Sequence, residues 1–130
     1  MKKTLIIATV ALSLIFATGA FAQYDELIKK VDNAWEVRTG NVAPIKETIA
    51  MAEKAFGENP GYDAAWRAAR ACFWVCDRSE DQKVDLEYGE RGVDWARKAV
   101  KAKADGVEGY YWLTLCLGEH GKGLGILNAL

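Results

Sequence analysis

The sequence predicts an all-α fold: a right-handed stack of helical hairpins with about six helices, the last of them incomplete. Small and aromatic residues recur with an offset of 44 residues, which separates Thr48 from Gly92 and Trp66 from Tyr110. Apolar residues also recur at helical spacing along the segments that contain these positions. A fixed period of paired amphipathic helices is typical of a helical solenoid.

Residues 1–22 are predicted to be a cleavable signal peptide. Two lysines precede the apolar residues 5–16, and an Ala-x-Ala sequence ends at Ala22. The alternative is an uncleaved membrane anchor, because residues 4–22 carry no charge and are nearly long enough to span a bilayer. The preferred interpretation places residues 23–130 in a bacterial periplasm as one helical repeat domain.

The first two helices of this domain are predicted over residues 23–38 and 44–56. Both carry one apolar stripe at helical spacing. Pro44 suits the first turn of the second helix, where its missing N–H costs nothing. Gly57 and Pro60 are expected to end that helix.

Three more helices are predicted over residues 63–76, 80–103 and 107–117, and residues 126–130 would begin a sixth. Ser79 and Gln82 have the spacing of a capping box at the start of the fourth helix. The third helix has a predicted core stripe at helical spacing. This stripe consists of Ala65, Trp66, Ala69, Cys72, Phe73 and Cys76.

The composition limits the classes of partner. Without residues 1–22 the chain keeps 15 basic and 18 acidic side chains, a net charge of −3. Nucleic acid is therefore not an expected partner, since binding it needs a basic face. Membrane contact is expected only if the signal segment is retained.

Three cysteines, Cys72, Cys76 and Cys116, leave at least one thiol unpaired within the chain. The preferred interpretation is that they are small buried side chains, because a free cysteine behaves as a small hydrophobe. The alternative is a disulfide that joins Cys116 to Cys72 or Cys76, which an oxidising compartment would allow.

The repeat spacing resembles the tetratricopeptide repeat, in which aromatic residues, an alanine and a proline occupy fixed places. Trp66 and Phe73 match the two aromatic positions, and Ala55 and Pro60 match the end of the preceding repeat. A narrower similarity is to the periplasmic T-component family of TRAP transporter systems. It covers residues 24–130 and is carried by an Asn-Pro turn, a long second helix of the hairpin and the segment GVEGYYWLTLCLGEHGKGLGILNAL. This resemblance implies an often oligomeric partner of a periplasmic solute-binding protein.

Catalysis is not expected, and neither a cofactor nor a metal ion is predicted. His120 is the only histidine, and Cys116 beside it has no identifiable third group to orient a catalytic pair. A metal set of Cys72, Cys76 and His120 has no fourth ligand and no familiar spacing.

A binding surface is predicted on the third and fifth helices. On the third helix it is the stripe opposite the predicted core, and adding 44 to these positions gives the corresponding row on the fifth helix. Both rows are expected to lie on the concave face of the stack. Aromatic residues with arginine are the usual composition of a binding hot spot. The alternative is that Trp74 and Tyr111 pack under the long fourth helix or under the inserted turn that precedes it. The predicted binding residues are Arg67, Ala71, Trp74, Arg78, Tyr111 and Leu115.

The predicted function is that of a periplasmic scaffold which binds a partner protein within a TRAP-type solute transport system. The alternative is a general cell-envelope adaptor that binds peptides and is not linked to transport. Either self-association or a chain that is a fragment of a longer repeat protein is also expected, because apolar residues near the C-terminus have no following helix to cover them. These residues are Leu124, Ile126, Leu127 and Leu130.

Overall fold

The computed structural model describes the backbone of residues 2–126 and the side chains of residues 19–126. These residues form five α-helices and no strand, which confirms the predicted all-α class. Residues 127–130 of the predicted sixth helix lie outside the described part of the chain. The helices are α1 (Lys2–Glu36), α2 (Ala43–Glu58), α3 (Tyr62–Asp77), α4 (Gln82–Ala102) and α5 (Val107–Gly123).

Each helix packs against the next one along the chain, as expected of stacked hairpins. Helix α3 also contacts α1 and α5, so these three helices form one layer, and α2 and α4 form the other. Helix α3 therefore contacts all four other helices. It buries more of its circumference than the single apolar stripe of an amphipathic helix would predict.

Small side chains let the two layers approach closely. Ala64, Ala65, Ala68 and Ala69 of α3 are fully buried. Between α4 and α5, a Cβ atom placed on Gly92 would lie 2.6 Å from the Sγ atom of Cys116. Such dense packing is sensitive to added volume.

Helix α4 begins two residues later than predicted, because Asp81 caps it in place of Ser79. The Asp81 carboxylate accepts a hydrogen bond of 2.9 Å from the backbone N–H of Lys83. The hydroxyl of Ser79 instead accepts from the N–H of Asp81 at 3.0 Å. The predicted capping box of Ser79 and Gln82 was therefore wrong, although a capped start close to this position was expected.

Helix α1 runs without a break through the proposed cleavage point after Ala22, and the signal peptide stays a prediction. The side chains of residues 1–18, on which this prediction mainly rests, lie outside the described part. Within the described residues, no helix meets the length and hydropathy needed to cross a membrane. Leu124 and Ile126, on which self-association was predicted, are exposed.

All three cysteines are free and buried, as the preferred interpretation of the sequence expected. Burial raises the pKa of the Cys76 and Cys116 thiols to about 12, and it raises that of Cys72 further. A protonated, buried thiol is a poor nucleophile.

We therefore expect the native protein to resist alkylation by iodoacetamide at pH 8, and all three thiols to react once the protein is unfolded in guanidinium. Intact mass spectrometry at timed intervals measures this. One thiol that reacts with the native protein at the rate of free cysteine would contradict the packing described here.

Candidate functional site

A continuous group of aromatic rings crosses the layer of α1, α3 and α5. Trp35 of α1 lies edge-on to Trp74 of α3, with ring centroids 5.4 Å apart, and edge-on to Trp112 of α5 at 5.7 Å. Phe73 and Tyr111 extend the group at 5.8 and 4.9 Å from Trp112. Edge-to-face pairs of this kind stabilise one another beyond the area that they bury. Aromatic side chains from three helices thus form one connected cluster.

Guanidinium groups lie against the same aromatic rings. The Cζ atom of Arg70 is 4.7 Å from the ring centroid of Trp35 and 4.9 Å from that of Trp66. Arg67 lies 4.1 Å from the Trp66 ring, and Arg38 lies 4.0 Å from the Trp35 ring. These distances are within the range of cation–π attraction, which favours arginine over lysine.

Asp32 of α1 holds the two arginines of α3 in place. Arg67 donates to both oxygens of this carboxylate at 2.9 and 2.8 Å, and Arg70 donates to Oδ1 at 2.9 Å. Residues three apart on a helix share a face, so one carboxylate reaches both arginines. We call this surface the Trp–Arg face. It comprises Asp32, Trp35, Trp66, Arg67, Arg70, Phe73, Tyr111 and Trp112.

The ion pairs alter the acidity of these groups. Burial alone would raise the pKa of Asp32, but the hydrogen bonds and charges of Arg67 and Arg70 outweigh it, so the pKa is lowered. Burial lowers the pKa of Arg70, and Asp32 offsets this effect only in part. The pKa of Arg67 is raised, because its contacts with Asp32 and Asp63 exceed the cost of burial. Arg70 is thus the less fully compensated of the two cations.

The lowered pKa of Asp32 makes stability depend on pH. A carboxylate whose pKa is lower in the folded state stabilises the fold above its unfolded pKa, and this contribution is lost as the pH falls through the folded pKa. We expect the Tm to fall between about pH 5 and pH 2 more steeply for the natural protein than for Asp32→Asn. Thermal denaturation across this range checks the difference. Parallel Tm profiles of the two proteins would contradict it.

Three of the predicted binding residues lie on or beside the Trp–Arg face. Arg67 is mostly buried beneath Asp32 and Trp66, and Tyr111 is 56% exposed at the edge of the face. Leu115 is half-buried and packs against the cluster that contains Trp112. Their role in binding stays a prediction.

The other three predicted binding residues lie elsewhere. Ala71 and Trp74 are buried in the core, which corrects their predicted place on the surface. Arg78 is exposed beside an open cleft of about 360 Å³ whose lining also includes Trp74 and Arg38. Trp74 is therefore a packing residue, as the alternative interpretation expected. Tyr111 is exposed, as the surface interpretation required.

Four residues of the predicted core stripe of α3, Ala65, Ala69, Cys72 and Cys76, are fully buried as expected, so the prediction was wrong for only part of the helix. Trp66 and Phe73, which were predicted in the core, are half-buried and belong to the Trp–Arg face, while Trp74 takes the core position. The physical reason is that the side of α3 expected to face solvent is covered by Ile45 and Ile49 of α2, Tyr88 of α4 and Trp35 of α1. The residues missed by the prediction are Asp32, Trp35, Trp66, Arg70, Phe73 and Trp112. The three-residue spacings Asp32 to Trp35 and Arg67 to Arg70 are the signal that could have indicated the face.

The residues considered above for catalysis and metal binding can be located within the described part of the chain. Within residues 19–126, no group of three or more His, Cys, Asp or Glu side chains could hold a metal ion. The Nδ1 atom of His120 lies 3.4 Å from the carbonyl oxygen of Leu86, and the neighbouring Cys116 thiol lies 3.5 Å from the carbonyl oxygen of Ala69. The Trp–Arg face can present aromatic and cationic groups to a ligand.

Comparison with family models gives a match over residues 20–129 to the family described as "Regulator of microtubule dynamics protein 1-3". Comparisons with curated proteins and with solved structures give no significant match.

This match overturns part of the sequence interpretation. The matched family is neither the tetratricopeptide repeat nor the T-component family of TRAP systems, so both resemblances were wrong as family assignments. The predicted functions of a transport scaffold and of an envelope adaptor fail with them, and the periplasmic location stays an untested prediction. The all-helical hairpin stack is shared by unrelated families, which is why the spacing misled. The chain belongs to the family of regulators of microtubule dynamics proteins 1-3.

Proposed function

We propose that the chain is a protein-binding module that acts through its Trp–Arg face and catalyses no reaction. The observation that carries this proposal is the connected set of tryptophans and arginines across three helices. Tryptophan, tyrosine and arginine are the residues most enriched in interface hot spots, and they are most effective where their surroundings exclude water. The Trp–Arg face has this composition, with half-buried Trp35, Trp66 and Phe73 around the buried Arg70 and Trp112.

The rigidity of the face also supports binding. Trp35, Arg67 and Arg70 are fixed by ion pairs and ring contacts before any ligand arrives. A surface that is already ordered loses less side-chain entropy when a partner binds. Each contact can therefore contribute more to affinity than it would on a mobile surface.

The family match favours a narrower candidate for the partner. The family is described by regulation of microtubule dynamics, so tubulin is the first protein to test. Co-sedimentation of the full chain with assembled microtubules provides the assay. Binding that saturates would support this candidate, whereas recovery in the pellet equal to that without microtubules would remove it.

The adjacent tyrosines Tyr110 and Tyr111 provide a matched test of the face. They are 49% and 56% exposed, but only Tyr111 contacts Trp112. With tubulin, or with a partner purified by affinity capture, we expect Tyr111→Ser to weaken binding about tenfold and Tyr110→Ser to change it less than about twofold. Equal affinities of the two variants would place the binding surface elsewhere.

A further inference from the structure

Arg70 is buried on the Trp–Arg face with most of its hydrogen-bonding capacity unused. Its side chain is only 8% exposed. Among the described residues it makes one hydrogen bond, from Nη2 to Asp32. Arg67, three residues earlier, uses all three of its nitrogens on Asp32 and Asp63. A guanidinium can donate five hydrogen bonds, so Arg70 retains most of its donors.

The unused donors of Arg70 are not completely buried. Within the described part of the chain, the fully buried side-chain atoms without a hydrogen bond are Asp85 Oδ1 and Glu119 Oε2, and the latter is ion-paired with Lys122 at 2.6 Å. The Nε and Nη1 atoms of Arg70 are not among them. These two atoms therefore keep some solvent access, although the side chain as a whole is only 8% exposed.

The surroundings of Arg70 favour an anion at these donors. The Cζ atom of Arg70 lies within 5 Å of the ring centroids of both Trp35 and Trp66, so two aromatic rings help to exclude water from the guanidinium. Charge-assisted hydrogen bonds from arginine to a carboxylate are about twice as strong as neutral ones, and a partly dehydrated site strengthens them further.

The charge balance leads to the same ligand. Arg67 and Arg70 share the carboxylate of Asp32, and Asp63 also pairs with Arg67, so Arg70 is the cation that has no carboxylate of its own. Asp63 is 65% exposed and reaches only Arg67, at 3.4 Å. Glu36 acts on Arg70 only as a weaker, more distant charge.

We propose that Arg70 binds a carboxylate of the partner segment, with the neighbouring apolar side chains of that segment resting on Trp35 and Trp66. The carboxylate comes from an Asp or Glu side chain or from the C-terminus of the partner. This inference rests on the proposed function, and it names the chemistry that the Trp–Arg face recognises.

Three short peptides test the inference on the full chain. The first is acetyl-Ala-Leu-Glu-Leu-Ala-amide, the second replaces its Glu by Gln, and the third has that Gln and a free C-terminal carboxylate. Nitrogen-15 NMR follows the arginine Nε–H and tryptophan indole N–H signals during titration. Arg91 and Trp95, which both donate to Glu53 in the other layer, serve as internal controls.

We expect the Glu peptide to shift the signals of Arg70, Trp35 and Trp66, and to bind about tenfold more tightly than the Gln amide. The third peptide distinguishes a C-terminal carboxylate from a side-chain carboxylate. If it binds as tightly as the Glu peptide, a C-terminal carboxylate is accepted. If it binds as weakly as the Gln amide, the carboxylate must be a side chain. Equal binding of the Glu and Gln amides, shifts centred on Arg91 and Trp95, or no binding of any peptide would overturn the inference.

A conservative substitution gives a second readout. Arg70→Lys keeps the charge beside Asp32 but loses the planar arrangement of donors. We expect it to reduce the preference for Glu over Gln to less than about threefold, while Arg97→Lys on the exposed side of α4 leaves the preference unchanged. If Arg70→Lys does not fold, the comparison of peptides on the natural protein decides alone. Equal binding of the Glu and Gln amides at the face would overturn the carboxylate inference only, since the Tyr110 and Tyr111 variants test the proposed function separately.

Discussion

Replacing Trp74 by alanine is expected to destabilise the fold by about 3–5 kcal/mol. Only 5% of Trp74 is exposed, and its ring packs in the cluster that includes Ile45, Val75 and Tyr88. It also supports Trp35 of the Trp–Arg face through an edge-on contact. Removing the ring would leave a large cavity that the neighbouring helices can close only in part. Urea denaturation followed by circular dichroism measures the loss.

Tyr111→Ala provides the comparison, because sequence reasoning placed Trp74 and Tyr111 in neighbouring rows of one concave surface. Tyr111 is 56% exposed, and its replacement should change stability by no more than about 0.5 kcal/mol. The structure therefore predicts opposite outcomes for the two aromatic residues. A mild effect of Trp74→Ala, close to that of Tyr111→Ala, would show that α3 has the orientation first predicted from the sequence.

Replacing Asp32 by alanine is expected to cost about 2–3 kcal/mol. The change leaves Arg67 and Arg70 mostly buried without their shared carboxylate. Breaking a fully buried pair costs about 3–5 kcal/mol, and the expected value is lower because Asp32 itself is 39% exposed. The side chains of Arg67 and Arg70 should also lose their fixed orientation, which NMR of their Nε–H groups would report.

Asp63→Ala is the matched control, since it removes the other carboxylate near Arg67. Asp63 is mostly exposed and pairs with Arg67 four residues later on the same helix, so its loss should cost less than about 1 kcal/mol. Denaturation of both variants at pH 7 gives the comparison. Equal losses would mean that the contact with Asp32 is no more important than an ordinary surface ion pair.

The periodicity of apolar residues was sufficient to predict the helices but not their environment. Proline and glycine gave the limits of α2 within about two residues, and Asp81 shifted the start of α4 by a similar amount. Helical spacing cannot report that α3 lies in the middle of the stack with neighbours on every side. For this reason the sequence prediction placed the buried residues Ala71 and Trp74 on the surface.

Part of the candidate site could be predicted and part could not. The choice of α3 and α5, with Arg67 and Tyr111, followed from the repeat offset. Asp32 and Trp35 come from α1. Asp32 lies 35 residues before its partner Arg67 in the sequence. Their contribution depends on the packing of α1 against α3, and no local pattern specifies that contact. The family assignment failed for a related reason, since small residues at helical spacing are common to many hairpin stacks.

Photo-crosslinking tests most directly the central claim that the Trp–Arg face binds a partner protein. A benzophenone amino acid would be placed at Tyr111 in one protein and at Tyr110 in another, and each would be irradiated with the captured partner or with tubulin. If the Trp–Arg face binds the partner, position 111 gives a crosslinked product and position 110 gives little or none. The attached peptide then contains an Asp or Glu residue or the C-terminus of the partner. Equal crosslinking from both positions, or a product from position 110 alone, would contradict the claim.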